Sequence, residues 1–130
     1  MFQEHGGFEI WASKDILYAR LSGAWNEETA IHYVKEFKRL VYNDLPAQWA
    51  HVVYVDGWGM GTPDIEPVIE KLVEWGVANG GVHVAQVFGK EIMKFQLDKM
   101  VIAKNPKLCR KQFRTETEAL FWLQECGFSV

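Results

Sequence analysis

Two short segments that are apolar at nearly every position constrain the fold of this chain most strongly. They span residues 50–55 and 82–88. A strand covered on both faces has this pattern, whereas a half-exposed strand alternates apolar and polar residues. Parallel sheets bury their strands in this way between layers of helices. The two segments therefore predict interior, parallel strands of an α/β sheet.

Amphipathic patterns on either side of these segments indicate helices that cover the sheet. Three of them follow Asn26, Thr62 and Thr115, which are residue types that cap helix N-termini, and Pro63 suits the first helical position after Thr62. Because Pro67 lacks an N–H, we expect Thr62 to cap only a first turn and the regular helix to begin nearer Pro67. A fourth pattern spans 92–101. Helical spacing predicts the following buried stripe on the first helix: Ile31, Val34, Phe37, Leu40 and Val41.

Shorter strands complete the expected order of elements. Residues 8–13 and 16–21 predict an antiparallel hairpin around Lys14-Asp15, and 108–113 predict a last strand. The order is β-β-α-β-α-β-α-β-α. We therefore expect an α/β fold with a mixed sheet and packed helices, in a single domain over residues 1–130.

Composition narrows the functional class. The hydrophobic share is 48% and the charged share 24%, as in globular proteins, and the net charge of −3 argues against nucleic-acid binding. The longest apolar run, Ala119–Leu123, is too short for a membrane span or a signal peptide, so we expect a cytoplasmic protein.

The two cysteines, Cys109 and Cys126, match no metal or redox motif. Cys126 lies on the apolar stripe of the last predicted helix, so we expect it to be buried in the core.

Positive charge is concentrated in one part of the chain. Lys90–Arg114 contains eight basic and two acidic residues, a net charge of +6 in an otherwise acidic protein. Either this segment is a solvated helix face with an adjoining loop, or it steers an acidic partner.

No motif in the sequence indicates catalysis, a cofactor or a metal site. The glycine series of Asp56–Thr62 lacks the G-x-G-x-x-G dinucleotide pattern and the Gly-Lys-Ser/Thr of a P-loop. His51 and His83 each occupy the second position of a covered strand, where their rings would be close if the strands were neighbours. We found no third ligand to accompany them.

The segment Asp56–Thr62, whose glycines predict a turn or loop after the central strand, is nevertheless the main candidate recognition element. It is glycine-rich, follows a predicted central strand, and contains Trp58 and Met60, two large apolar residues that a simple turn does not require. A tight turn forced by packing is the competing explanation. We predict a binding role for Trp58, Met60 and Thr62, with the Thr62 hydroxyl acting mostly as a helix cap.

Three segments resemble the SpoIIAA-like (STAS-like) family, which shares the fold of anti-sigma-factor antagonists. They are Arg20–Trp25, Val53–Trp58, and Glu118–Leu123 together with Phe113. The resemblance implies a STAS-like domain over nearly the whole chain. By register, Thr62 matches the phosphoacceptor serine of the antagonists, although Gly61, Pro63 and Asp64 differ from their motif.

We therefore expect a non-enzymatic, cytoplasmic protein-interaction or regulatory domain without a cofactor. The expected partner is an acidic protein, and a homodimer is compatible with the sequence. The alternative is a carrier of a small apolar ligand or lipid, because relatives of this branch also resemble CRAL-TRIO-type domains. A carrier needs an enclosed apolar cavity, whereas an interaction domain needs an exposed patch.

Overall fold

The computed structural model describes residues 4–88 and 105–130. They form one five-stranded sheet with the strand order β1-β2-β3-β4-β5. The strands are β1 (Gly7–Ser13), β2 (Ile16–Trp25), β3 (Ala50–Gly61), β4 (His83–Val87) and β5 (Cys109–Phe113). The helices are α1 (Glu27–Asp44), α2 (Ile65–Ala78) and α3 (Glu116–Glu125). The helix predicted at 92–101 lies outside the described residues.

The pairing of the strands confirms the predicted sheet. β1 and β2 form an antiparallel hairpin around Lys14, whose φ of 55° is the left-handed value that a tight turn needs. β2 pairs with β3, β3 with β4, and β4 with β5, all in parallel. The two apolar segments thus lie in the interior strands β3 and β4.

The glycine series of Asp56–Thr62 is not a turn, and this part of the prediction was wrong. β3 continues through it as far as Gly61 and pairs with the end of β2. Glycine permits this close pairing, because a Cβ at Gly61 would lie 2.1 Å from the Trp25 carbonyl oxygen. The pairing partner, which is remote in sequence, decides the conformation here.

The helix starts are confirmed in two cases and corrected in one. The Asn26 side chain accepts a hydrogen bond from the Thr29 N–H and caps α1, and Thr115 caps α3 by accepting from the Glu118 N–H. Residues 63–64 form a turn after Thr62, and α2 begins only at Ile65.

Two core predictions were also wrong. Ile31 is 49% exposed, because the buried stripe of α1 is offset from the predicted one and includes Ala30 and Tyr33. Cys126 is exposed, because it follows the last turn of α3 at the C-cap.

The helices divide the core into two layers. α1 and α2 cover one sheet face, and the larger core cluster lies beneath them. α3 packs against β4 and β5 on the opposite face over a smaller cluster. Among the helices of the described residues, none has the length and hydropathy that a membrane span requires.

Candidate functional site: an aromatic cavity beneath two helices

The candidate site is a cavity of about 110 Å³ between the sheet and the helices α1 and α2. His51, Val53 and Val55 form its floor, because alternate residues of β3 point to the same sheet face. The helices contribute these lining residues: Tyr33 and Phe37 from α1, and Ile69, Leu72, Val73 and Gly76 from α2. The lining is therefore mostly apolar.

One extra residue in β3 turns Trp58 toward this cavity. Arg20 of β2 pairs with Tyr54, but Ser22 pairs with Gly57, so β3 advances by three residues where β2 advances by two. An inserted residue of this kind reverses the side-chain alternation beyond it. Trp58 therefore lines the cavity with the β3 residues of its floor and is only 3% exposed.

Five aromatic rings form a continuous wall beside the cavity. Trp58 contacts Trp25 with ring centroids 5.5 Å apart, and Trp25 contacts Tyr33 at 5.1 Å. Tyr33 then packs on Phe37 at 5.8 Å, and Phe37 on Trp49 at 5.7 Å. The planes of successive rings are inclined by 57–67°, which is the edge-to-face geometry that aromatic pairs prefer.

The three indole N–H groups of this wall have different surroundings. Trp25 Nε1 donates to the Gly7 carbonyl at 3.0 Å, and Trp49 Nε1 donates to the Asn79 carbonyl at 2.9 Å. Trp58 Nε1 is buried and has no hydrogen-bond acceptor in the part of the chain that the structure describes. A buried donor left in this state is uncommon in folded proteins.

The titratable groups on the floor and the α1 wall are neutral at pH 7. Burial lowers the pKa of His51 to about 4, although the hydrogen bond with the Leu17 carbonyl opposes this effect. His51 Nδ1 donates to that carbonyl at 2.8 Å, so Nε2 is an acceptor, 3.5 Å from the Tyr33 hydroxyl. Burial raises the pKa of Tyr33 well above its usual range. This part of the cavity therefore favours uncharged ligands.

Polar side chains also line the cavity at its β4–β5 side. Gln86 of β4 and Arg110 of β5 belong to the lining.

The described residues contain no candidate metal site. Within residues 4–88 and 105–130, no group of three or more His, Cys, Asp or Glu side chains is placed to hold a metal ion.

Of the three residues predicted as a binding set, the structure describes the side-chain surroundings of Trp58 and Thr62, which differ. Trp58 is inside the core, so it is not the exposed recognition group that we expected on a loop. The backbone of Met60 lies in β3. Thr62 is exposed, and its hydroxyl donates to the Asp64 carboxylate instead of capping α2, whose N-cap position is Asp64.

The two strand histidines do not meet. His83 pairs with Ala50, one residue before His51, so the two rings point to opposite faces of the sheet. His83 packs against Trp122 and Phe128 on the α3 side.

Sequence reasoning missed Tyr33 and His51 as cavity residues. A signal existed for both: His51 shares its alternation with Val53 and Val55, and Tyr33 lies one helical turn before Phe37. The sequence does not show that these side chains leave a cavity between them.

Comparison with known proteins supports the fold. No protein-family model and no curated protein matches this chain. The chain is similar to a crystal structure of an uncharacterised protein of the DUF3478 family from Shewanella loihica PV-4, which has a SpoIIAA-like fold. The TM-score is 0.71 at 15% sequence identity, over 95% of this chain and 98% of the other. The resemblance found in the sequence is thus confirmed at the level of architecture: this chain has a SpoIIAA-like fold.

Proposed function

We propose that this protein is a non-enzymatic domain that binds a small apolar molecule in the cavity beneath α1 and α2. The observation that carries the proposal is the cavity itself, which is lined by aromatic and aliphatic side chains. Ligand sites are typically concave and apolar, with a few polar groups that orient the ligand. Here those groups are the His51–Tyr33 pair and the side chains of Gln86 and Arg110.

The volume also sets the size of the ligand. An engineered apolar cavity of about 150 Å³ in another protein binds benzene. The cavity described here, at about 110 Å³, accordingly suits a molecule with a single ring or a short chain. The neutral His51 and Tyr33 favour binding without acid–base chemistry.

A thermal-shift screen with small aromatic and aliphatic compounds tests the proposal. A compound present at ten times its Kd adds about 1.4 kcal/mol of stability and raises Tm by about 3–6 °C. Two substitutions on α2 form a matched pair. Val73 lines the cavity and Val77 does not, and both are partly exposed valines of the same helix.

Val73→Phe fills the cavity and should weaken binding at least tenfold, while Val77→Phe should bind as the wild type does. A screen without any hit, or equal binding by the two variants, would contradict the proposal.

Protein interaction is the second candidate function, and the fold together with the position of Thr62 favours it. Thr62 is exposed between the end of β3 and the start of α2, where the family resemblance aligns the phosphoacceptor. The neighbouring Asp64 and Glu66 oppose an added phosphate by like-charge repulsion. Incubation with ATP and extract of the native host, followed by mass spectrometry and pull-down, tests this candidate. Phosphate at Thr62 that changes a captured partner would support it, and an unmodified Thr62 would count against it.

We also propose that the partner in such an interaction is an acidic protein, which the basic segment Lys90–Arg114 attracts. Of the basic segment Lys90–Arg114, the structure describes Lys107, Arg110, Lys111 and Arg114, and the other four cations lie outside the described residues. Association with such a partner should weaken as salt rises, since salt screens exposed charges. A partner that binds equally at low and high salt would exclude electrostatic steering.

A further inference from the structure

The only two cysteines of the chain lie at neighbouring ends of β5 and α3. Cys109 is the first residue of β5, and Cys126 is the C-cap residue of α3. Both are exposed, free thiols. Because α3 begins directly after β5 and packs against it, the helix runs back along the strand and ends near the start of the strand.

Aromatic contacts on both sides of Cys126 show how the two thiols are placed. Trp122, one helical turn before Cys126, packs against His83 with ring centroids 6.0 Å apart. Phe128, two residues after Cys126, packs against the same ring at 5.2 Å. His83 pairs with Cys109 in the sheet, so their side chains point to the same face from strands about 4.8 Å apart. Cys126 is therefore held beside the pair that contains Cys109.

The dimensions of the strand and the helix agree with this placement. Lys111 Nζ lies 6.0 Å from the centroid of the Trp122 ring. The strand covers about 6.6 Å from Lys111 back to Cys109, and the helix covers about 6 Å from Trp122 on to Cys126. Both steps lead in the same direction, because the helix runs antiparallel to the strand. Burial raises the pKa of the Cys126 thiol and Cys109 raises it further, as expected for neighbouring groups.

We propose that Cys109 and Cys126 form a modification site, at which a peroxide oxidises the two thiols to an intramolecular disulfide. One thiolate attacks a peroxide oxygen, so the O–O bond breaks and a sulfenic acid and hydroxide form. The second thiolate attacks the sulfenic sulfur, so the S–S bond forms and the S–O bond breaks with loss of hydroxide. In total, two thiols and one hydrogen peroxide give one disulfide and two waters, and two electrons pass from sulfur to the peroxide.

The surroundings of the two thiols suit this chemistry. Redox-sensitive cysteines are accessible to solvent and often lie next to a second cysteine that resolves the sulfenic acid. The bond would join the start of β5 to the end of α3, on the sheet face opposite the cavity. Closing this loop restricts the unfolded chain, so the oxidised protein should be the more stable form.

Oxidation of the reduced, wild-type protein by hydrogen peroxide under native conditions tests the proposal. The intact mass should fall by about 2 Da, the mass of the two hydrogens lost, and dithiothreitol should restore it. Trypsin cleaves after Lys107, Arg110 and Arg114, so the disulfide should link residues 108–110 to residues 115–130. The Tm of the oxidised protein should exceed that of the reduced protein by about 5–10 °C.

A displaced thiol on the same helix provides the matched control. Cys126→Ser combined with Gln124→Cys keeps one exposed position on α3 as a thiol, about 200° around the helix from residue 126. The wild type should form its disulfide at least about tenfold faster than this variant, at a rate independent of protein concentration.

Three results would overturn the proposal: similar rates in the wild type and the variant, a disulfide-linked dimer as the main product, or oxidation to sulfinic acid without pairing. A disulfide that lowers Tm would also overturn it, because the native positions of the two cysteines would then have to be distorted to form the bond.

Discussion

Acidification should destabilise this protein through one buried histidine. His51 is 9% exposed, donates to the Leu17 carbonyl and lies among aromatic rings beneath α1. Burial lowers its pKa to about 4 in the folded protein, against 6.5 for an ordinary histidine. The unfolded chain therefore takes up a proton at a higher pH than the folded one.

The sign and size of the effect follow from this difference. Above about pH 6.5 the histidine is neutral in both the folded and the unfolded state, so its full contribution to the free energy of unfolding is present. Between about pH 6.5 and pH 4 the unfolded state binds more protons, so stability falls as the pH falls. A pKa of about 4 rather than 6.5 corresponds to roughly 3 kcal/mol at 1.36 kcal/mol per unit.

Urea unfolding at pH 7.5 and pH 4.5 measures this loss. The wild type should lose about 2–3 kcal/mol more than His51→Leu between these two values. His5→Gln, a change at an exposed histidine, should lose as much as the wild type. An equal pH dependence in the wild type and His51→Leu would refute the assignment of this loss to His51.

Two further predictions compare pairs of equivalent changes in urea unfolding. Thr115→Ala should lower the free energy of unfolding by about 1 kcal/mol, because Thr115 caps a helix. Thr62→Ala should lower it by less than about 0.5 kcal/mol, because the Thr62 hydroxyl bonds the Asp64 side chain and no backbone N–H. Equal losses would show that Thr62 is also a cap. Gly80→Ala should cost about 3 kcal/mol or more, because its Cβ would lie 1.8 Å from the Ala47 carbonyl oxygen at a φ of +100°. Gly127→Ala, at a φ of +98° with open space around it, should cost about 1 kcal/mol, and a larger loss there than at Gly80 would contradict the steric argument.

The sheet could be predicted from the sequence because its signals are local. The residues of 50–55 and 82–88 are apolar on both faces, and the structure places them in interior parallel strands. The helix caps at Asn26 and Thr115 could also be predicted, since each side chain accepts a hydrogen bond from a backbone N–H three residues away.

The site could not be predicted because it depends on pairing between distant segments. Trp58 faces the cavity only because β3 holds an extra residue relative to β2, and the sequence of β3 alone does not indicate that register. The glycine series that suggested a loop is a strand for the same reason. A cavity is also a volume that side chains from several elements leave unfilled, so it has no pattern in any one of them.

Intermolecular NOEs test the central claim, that the cavity beneath α1 and α2 binds a small apolar molecule. Valine methyl groups of β3 provide the comparison, because Val53 and Val55 line the cavity while Val52 belongs to the core on the α3 side. With the tightest-binding aromatic compound of the screen bound, we predict NOEs from its ring protons to the methyls of Val53 and Val55 and none to Val52. NOEs to Val52 alone, or to none of the three, would contradict the claim.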